Sequence, residues 1–364
     1  MNEKTLTIFG SGFIGKIHLN GYRSLPLCYP GNDRLVVLKN IVTSHPESPV
    51  AHLFEKAEKS LDDVCPTDFA DICTPNYAHE SEIKKLVGRG FKNIYCEKPV
   101  TGFYKSELEI SGLMKEKQIT NQVALVYRFL PAIIRAKKII EEGLIGNLTH
   151  FDCNLYHGSY LDVSKPMSWK LKKAASGGGA LVDLGIHAID ALSYVAGDIE
   201  SANGYVKTFI DKRPGENGTE QVDVDDFAHL EIVIGGAKGT LEVSRITAGA
   251  DGSLNINLYG TKGGLKISSS NPDYPLIYDG KSGAWQTASD YIFKDAESDI
   301  GNLWPSARYS LGTMQNMHTA SIMCFIKRMD GERLNYVTPP QVGDSVNAMK
   351  LIDAIYEKGC YKAP

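Results

Sequence analysis

The sequence predicts an α/β chain in two parts. Residues 1–125 read as a parallel sheet with helices on both faces, and 126–364 as an α+β part with a large, mostly antiparallel open sheet. Three observations predict this. Strands and helices alternate through the first third, the grammar of a parallel sheet. After about residue 125 long strands alternate apolar and polar residues, which suits an antiparallel sheet with one covered face. And 364 residues exceed what one small core organises.

Each element has its own signal. TLTIF (5–9) is a β-rich run entering glycines, and GKIHLNGYRSL (15–25) has helical apolar spacing. LVVLKNIVT (35–43) reads as a second strand and SPVAHLFEKAEKS (48–60) as a second helix. FADICT (69–74) is a third strand, and AHESEIKKLVGRG (78–90) a helix ended by glycine. KNIYCE (92–97), SELEISGLMKEKQ (106–118) and NQVALVYRF (121–129) continue as strand, helix and strand. A helix at 131–142 and a strand at 148–157 follow, then a polar loop and SGGGALVDLGIHAIDALSYVAG (176–197), helical from 180 to 196. Strands are expected over about 200–211, 222–234, 238–248, 252–260 and 263–269, and helices over 313–331 and 343–359. The stretch 270–312, rich in Ser, Asp, Tyr and Gly, carries no readable period.

Composition narrows the function. Hydrophobic residues make up 43% and charged residues 23%, as in an ordinary globular protein. Net charge is −4 and no basic run is visible, so a nucleic-acid partner is not expected. MNEKTLTIFG reads as a first strand and not a signal peptide. No stretch is expected to reach the roughly 18 apolar residues of a membrane span. The cysteines (28, 65, 73, 96, 153, 324 and 360) are odd in number and form no CxxC pair. Reduced packing thiols in a cytoplasmic protein are expected, with no zinc site.

The chemistry-bearing motifs begin with TIFGSGFIG, where Gly10, Gly12 and Gly15 form GxGxxG between a strand and a helix. Glycines there permit a tight turn and close approach of a pyrophosphate, and the helix start offers free N–H groups. At a first strand–helix junction this is the context of a Rossmann dinucleotide-binding domain, with Phe13 and Ile14 in the loop. The second strand ends in Thr43, Ser44 and His45, not in the acid that reads an NAD ribose. That tilts towards NADP, while Glu47 keeps NAD open, so the cofactor is expected to be NAD or NADP. Thr74, Pro75, Asn76 and His79 follow the third strand and suit a cofactor cleft, or else an ordinary turn. Glu97, Lys98 and Pro99 end the fourth strand, where a proline bends the chain at the strand tip. An X–Pro bond is also where cis costs least. Asp183, His187 and Asp190 are spaced i, i+4, i+7 and line one helix face. Glycines 177–179 before them leave room for a ligand to approach.

GSGFIG, EKPV (97–100) and GGGALVDLGIHAID (177–190), in this order, resemble the Gfo/Idh/MocA oxidoreductases over nearly the whole chain; TPNYAHE and YRFLPAI add to the likeness. The resemblance implies a cis Lys98–Pro99 peptide and a Lys98 that lies near the nicotinamide and the reacting hydroxyl. It implies that Asp183 orients substrate, that His187 acts as acid–base at the reacting oxygen, and that Asp190 is a further hydroxyl contact. Whether Lys98 or His187 takes the proton stays open. Tyr127 and Arg128 at the domain crossover, Tyr156 and His157 at a strand end, and His318 are further candidates on the substrate side. Trp169 and Lys170 read as part of a loop over the substrate. The expected reaction moves hydride between a nicotinamide and a carbinol carbon of a sugar, inositol or related polyol, with no metal. The rivals are redox-assisted glycoside cleavage on the same fold, a non-catalytic dinucleotide sensor, and a methyltransferase, which leaves EKP and the Asp–His helix unexplained. The resemblance also implies a homodimer or homotetramer formed through the open sheet face.

Overall fold

The computed structural model describes residues 2–29, 31, 34–280 and 282–363. The chain forms two compact units, Met1–Thr101 with Lys105–Phe129 and Ser298–Val346, and Gly102–Tyr104 with Leu130–Glu297 and Asn347–Pro364.

The first unit is built on six parallel strands: β1 (Asn2–Phe9), β2 (Arg34–Val42), β3 (Lys56–Glu58), β4 (Phe69–Ile72), β5 (Asn93–Cys96) and β6 (Thr120–Val123). Their spatial order is 3-2-1-4-5-6. This is the doubly wound order, whose reversal beside β1 opens a ligand crevice at the carboxyl ends of the strands. Leu6, Ile8, Ile72 and Ile94 sit fully buried in the sheet, as strands covered on both faces require. Helix α1 (Phe13–Cys28) follows β1, α2 (Asn76–Gly88) follows β4, and α3 (Tyr104–Glu116) follows β5.

Two expectations fail here. The helix expected over 48–60 is one turn, Ala51–Leu53, followed by the edge strand β3. Lys56–Glu58 pair with Asn40–Val42 of β2 instead, which takes the second half of that stretch out of a helix. The boundary expected at 125/126 also misses that 298–346 returns to this unit. Helix Thr313–Met329 is buried from Gln315 to Ile326 and lies against α1. Gly21 makes that approach possible, since a Cβ there would stand 2.8 Å from Ile322 Cδ1. Beyond the helix, Val123 N–H donates to Pro340 O (3.0 Å), so the returning segment satisfies the edge of β6.

The second unit carries a nine-stranded sheet. It includes β7 (Leu148–His157), β8 (Ser201–Lys207), β11 (Phe227–Ile234), β12 (Ala237–Ser244), β13 (Asp251–Gly260) and β14 (Gly263–Ser268). A separate hairpin pairs β9 (Lys212–Gly215) with β10 (Gly218–Gln221), in the gap between the strands expected over about 200–211 and 222–234. The unreadable 270–312 contributes β15 (Leu276–Asp279), β16 (Ala284–Thr287) and the helix Lys294–Leu303, and β17 (Cys360–Lys362) closes the far edge. Among the described residues of this sheet, only the β7–β12 pair is parallel. Cys153, Leu155, Leu230, Leu241, Ile256 and Leu258 are buried on one face, which the helices Pro131–Glu141 and Ile186–Ala196 contact. The apolar segment Lys173–Ala196 does reach the length and hydropathy of a membrane span, contrary to expectation. It is interrupted at Gly177, in the left-handed region (φ +80°), and 67% of its most apolar window is buried inside the protein, the exposure of a core helix.

Candidate active site

The glycine loop divides its labour residue by residue. Gly10 (φ +91°) turns the chain, and a Cβ there would lie 2.9 Å from Cys73 O. At Gly15 a Cβ would lie 2.6 Å from Gly10 O, so only glycine lets α1 seat against the loop. At Gly12, among the described residues, no atom beyond its chain neighbours and its own helix backbone lies within 4 Å of that position. The start of α1 has no side-chain cap and no acid in its first turn. These features fit an anionic dinucleotide, whose pyrophosphate needs open backbone and a helix N-terminus. Phe13 is exposed and Ile14 half-buried beside it. At the end of β2 the Thr43 hydroxyl meets Ser11 Oγ (2.9 Å), tying the strand tip to the loop. Ser44 and His45 are exposed, and His45 Nδ1 lies 3.3 Å from Glu47 Oε1.

After β4 the side chains turn inward. Thr74 Oγ1–H donates to Glu82 Oε2 (2.5 Å). Burial raises Glu82 to about 7 against that hydrogen bond. Pro75 immediately precedes α2 and gives it no side-chain cap. Asn76 and His79, expected on the cofactor, are buried instead. Asn76 Nδ2–H donates to Thr101 O (2.9 Å). His79 sets Nε2 2.7 Å from Thr74 O, with Nδ1 3.2 Å from Pro99 O. Both brace the backbone of the EKP loop, because a loop folded over a helix start must pair its carbonyls. Lys98–Pro99 is cis. Lys98 is half-buried, and its backbone N–H donates to Glu97 Oε2 (3.0 Å).

Beneath that tip lies a network the motifs did not announce. His18 on α1 is fully buried, with Nδ1–H donating to Asp71 Oδ2 (2.8 Å) and Nε2–H to Glu97 Oε1 (3.0 Å). His318 Nδ1 is 3.2 Å from His18 Nε2, Cys73 Sγ is 3.1 Å from His18 Nδ1, and Tyr22 OH donates to Asp71 Oδ2 (2.9 Å). Burial opposes charge on His18, yet Asp71 raises it well above the ordinary 6.5. Burial likewise opposes ionisation of Glu97, but the His18 hydrogen bond and charge, with His318 and Lys98, hold it at about 2. Burial and the neighbouring His18 charge press His318 down to about 3, leaving it neutral and able to accept from His18. The donor atoms of His18, Glu97 and His318 lie within 4.8 Å of one another, a spacing a metal ion also adopts. A proton on His18 shared between two carboxylates accounts for it without one. Glu97, expected on the cofactor, therefore faces this network.

Arg128, expected on substrate, is buried and donates to Asp344 Oδ1 (2.8 Å). Burying a guanidinium requires a carboxylate partner, and the returning segment supplies it. Tyr127 is half-buried, its hydroxyl pushed up to about 12 by burial.

In the second unit the glycines serve packing, not a ligand. A Cβ on Gly177 would lie 2.0 Å from Gly102 O, one on Gly178 2.3 Å from Tyr356 Oη, and one on Gly179 1.8 Å from Asp225 O. Asp225 anchors the turn that follows. Its Oδ1 accepts from Gly179 N–H (2.9 Å) and Tyr356 O–H (2.6 Å), and its Oδ2 from Leu181 N–H (2.8 Å). Leu181–Gly185 is a wide π turn leading into the helix Ile186–Ala196. Such turns re-aim the side chains they carry. From Ala180 to Leu192 every residue is buried except Asp183 and His187, so these two share the open face; Asp190 is buried. Asp183 Oδ2 accepts from Arg245 Nη2 (3.1 Å), and buried Arg245 lies 5.1 Å from the Tyr160 ring and donates to Lys170 O (3.4 Å).

Tyr156 and His157 cannot both serve one site, since neighbours on a strand point to opposite faces. Burial lowers the pKa of His157, helped by Arg245, Lys165 and Lys170 and opposed by Asp183. Its Nδ1 accepts from Ser159 Oγ (2.8 Å). Tyr156 takes the other face and donates to Glu242, which also bonds His229 Nδ1 (2.7 Å). Its expected role on substrate is corrected accordingly. Trp169 and Lys170 are half-buried in a short turn, Trp169–Leu171.

The residues that sequence reasoning missed are His18, Asp71, Arg245 and Asp225. A signal existed for Asp71, a carboxylate inside the apolar strand FADI, and for the acid pair Asp225–Asp226 before a strand. Nothing local marked His18 or Arg245.

Residues 4–125 match the oxidoreductase family with an NAD-binding Rossmann fold, and residues 133–266 the Gfo/Idh/MocA C-terminal domain. Over 340 residues the chain is 29% identical to levoglucosan dehydrogenase of Pseudarthrobacter phenanthrenivorans, covering 86% of each chain. It is 26% identical over 221 residues to 2,7-anhydro-N-acetylneuraminate hydratase of Escherichia coli, covering 57% of each. A solved levoglucosan dehydrogenase in complex with NADH and L-sorbose superposes with a TM-score of 0.89 at 26% identity, over 100% of both chains.

Proposed function

The chain belongs to the Gfo/Idh/MocA oxidoreductases, and from that premise we propose that it is an NAD-dependent dehydrogenase of a sugar or related polyol, acting at a carbinol carbon. The observation that carries this reading is Lys98 at the tip of β5 in a dinucleotide-binding sheet, its backbone N–H held by Glu97. When bound, NAD takes up the hydride at its nicotinamide ring. The groups proposed for proton transfer are Lys98 in the first unit and His187 in the second. Asp183, fixed by Arg245, accepts from a neighbouring hydroxyl. A polyol pocket of this kind discriminates against deoxy analogues, which leave such acceptors unpaired. NAD is favoured over NADP because Thr43 spends its hydroxyl on Ser11 and Glu47 sits beside His45, an acid that opposes a 2′-phosphate.

Levoglucosan is the first substrate to test, given the near full-length similarity to its dehydrogenase. A panel of levoglucosan, aldoses and inositols with NAD and NADP, read by absorbance of the reduced ring, decides the matter. No reduction with any member sinks the reading. The likeness to an anhydro-sugar hydratase favours one second reading, transient oxidation with elimination. Altered sugar without accumulated NADH is its signature.

The outer face of the nine-stranded sheet presents Tyr205 (58% exposed) and Phe209 (62% exposed) near Phe227. Exposed aromatics in one patch support self-association through this face. The seven free thiols suit a reducing compartment.

A further inference from the structure

We propose that His18 is a positioning residue for Lys98: through Glu97 it locks the strand tip that carries the amine to the helix that begins at the glycine loop. The inference rests on the reading of Lys98 as the catalytic amine.

The geometry is a chain of single contacts inside the first unit. α1 starts at the glycine loop and carries His18, six residues beyond Gly12. His18 Nε2–H reaches Glu97 Oε1 (3.0 Å), and the other oxygen of that carboxylate accepts the Lys98 backbone N–H (3.0 Å). His18 Nδ1–H is held by Asp71 Oδ2 (2.8 Å) on β4. Both ring nitrogens donate to carboxylates, which only an imidazolium does, and charge-assisted bonds of this kind are short and directional. The groups facing the ring are Asp71 and Cys73 of the β4 strand and tip, Tyr95 and Glu97 of the β5 strand and tip, and His318, with Tyr22 of α1 bonded to Asp71. Full burial keeps water from substituting for any of them. A mechanism needs Lys98 placed to within a fraction of an ångström, and misplacement by about 1 Å costs on the order of 100-fold in rate.

The test uses the full-length holoenzyme and three variants. His18→Gln removes the imidazolium and leaves two buried carboxylates. The double variant His18→Gln/Asp71→Asn removes the same donor with no change in net charge, which keeps the fold accessible. Lys98→Met controls for the reading itself. In both His18 variants kcat is expected to fall at least about tenfold, while KM and the NADH affinity measured by fluorescence titration stay within about threefold. In His18→Gln alone, the uncompensated negative charge makes nearby protons harder to lose. The limb of the pH–rate profile that reports proton loss therefore moves up by about one unit, and it stays in place in the double variant. Downfield N–H resonances of a doubly donating imidazolium are expected in the wild-type protein without cofactor and absent from both His18 variants.

Full activity in the double variant, with Lys98→Met inactive, overturns the inference and leaves the dehydrogenase reading intact. Activity lost only in step with folded fraction or NADH affinity, with an unmoved pH profile in His18→Gln, also overturns it. So does a stoichiometric metal ion retained by the wild-type protein and released by His18→Gln. An active Lys98→Met enzyme overturns the reading and the inference together.

Discussion

Two clusters of ionisable groups, one in each unit, differ in how they meet water. In the first, His18 is sealed between Asp71 and Glu97 with no exposed ring atom. In the second, Asp183 and His187 are the two open positions on an otherwise buried stretch, and only the partner Arg245 is sealed. A sealed, fully paired network cannot exchange protons with a substrate, but it fixes geometry. A half-open acid and imidazole can meet a substrate, but they need a buried partner to hold still.

The largest expected effect is on turnover at the open end of the first cluster. Lys98→Met is expected to lower kcat by about 10²–10⁴ while NADH still binds, the range of a lost proton-transfer group. Full activity would remove Lys98 from the mechanism. The supports of the second cluster come next. Asp225→Ala strips the acceptor from Gly179 N–H, Leu181 N–H and Tyr356 O–H and is expected to cost about 2–4 kcal/mol. A urea midpoint within error of wild type would show that the turn does not depend on it.

The glycine loop offers a smaller and sharper contrast. Gly12→Ala meets, among the described residues, no atom beyond its chain neighbours and its own helix backbone, so stability is expected to hold while NADH affinity falls about tenfold or more, the methyl occupying phosphate space. Gly15→Ala meets Gly10 O at 2.6 Å and is expected to lower stability and affinity together. Equal affinities for both variants would refute that division of labour.

The pH dependence of stability is the gentlest test. Glu97 is held at about 2, so its contribution is full above about 4.3 and is lost as pH falls through its folded value. His18 is raised, so its contribution is full below 6.5 and is lost as pH rises through its folded value. Urea midpoints are expected to peak between roughly pH 5 and 6.5, with an alkaline decline that His18→Gln abolishes. An alkaline decline that survives in that variant places its origin elsewhere.

Much of this was legible along the chain. GxGxxG after a strand, EKP at a strand end and DxxxH on an apolar helix each put chemistry-bearing residues on a local frame, and local frames follow from periodicity. The readings that failed depended on something beyond that frame. His79 and Asn76 looked like cofactor contacts until loop carbonyls claimed them. Gly177–Gly179 looked like room for a ligand until Gly102, Tyr356 and Asp225 filled it. Tyr156 was placed with His157, although strand alternation alone should have separated them.

The amino-acid order by itself determined the alternation of elements, the turn chemistry at Gly10 and the helix that offers Asp183 and His187, because these depend on backbone sterics and apolar spacing within a few residues. Only the tertiary structure decided which side chains become partners. His18 meets Glu97 across 79 positions, Arg245 meets Asp183 across 62, and Arg128 meets Asp344 across 216. A buried charge is stable only where the fold brings its counter-charge, and no local pattern encodes that distance.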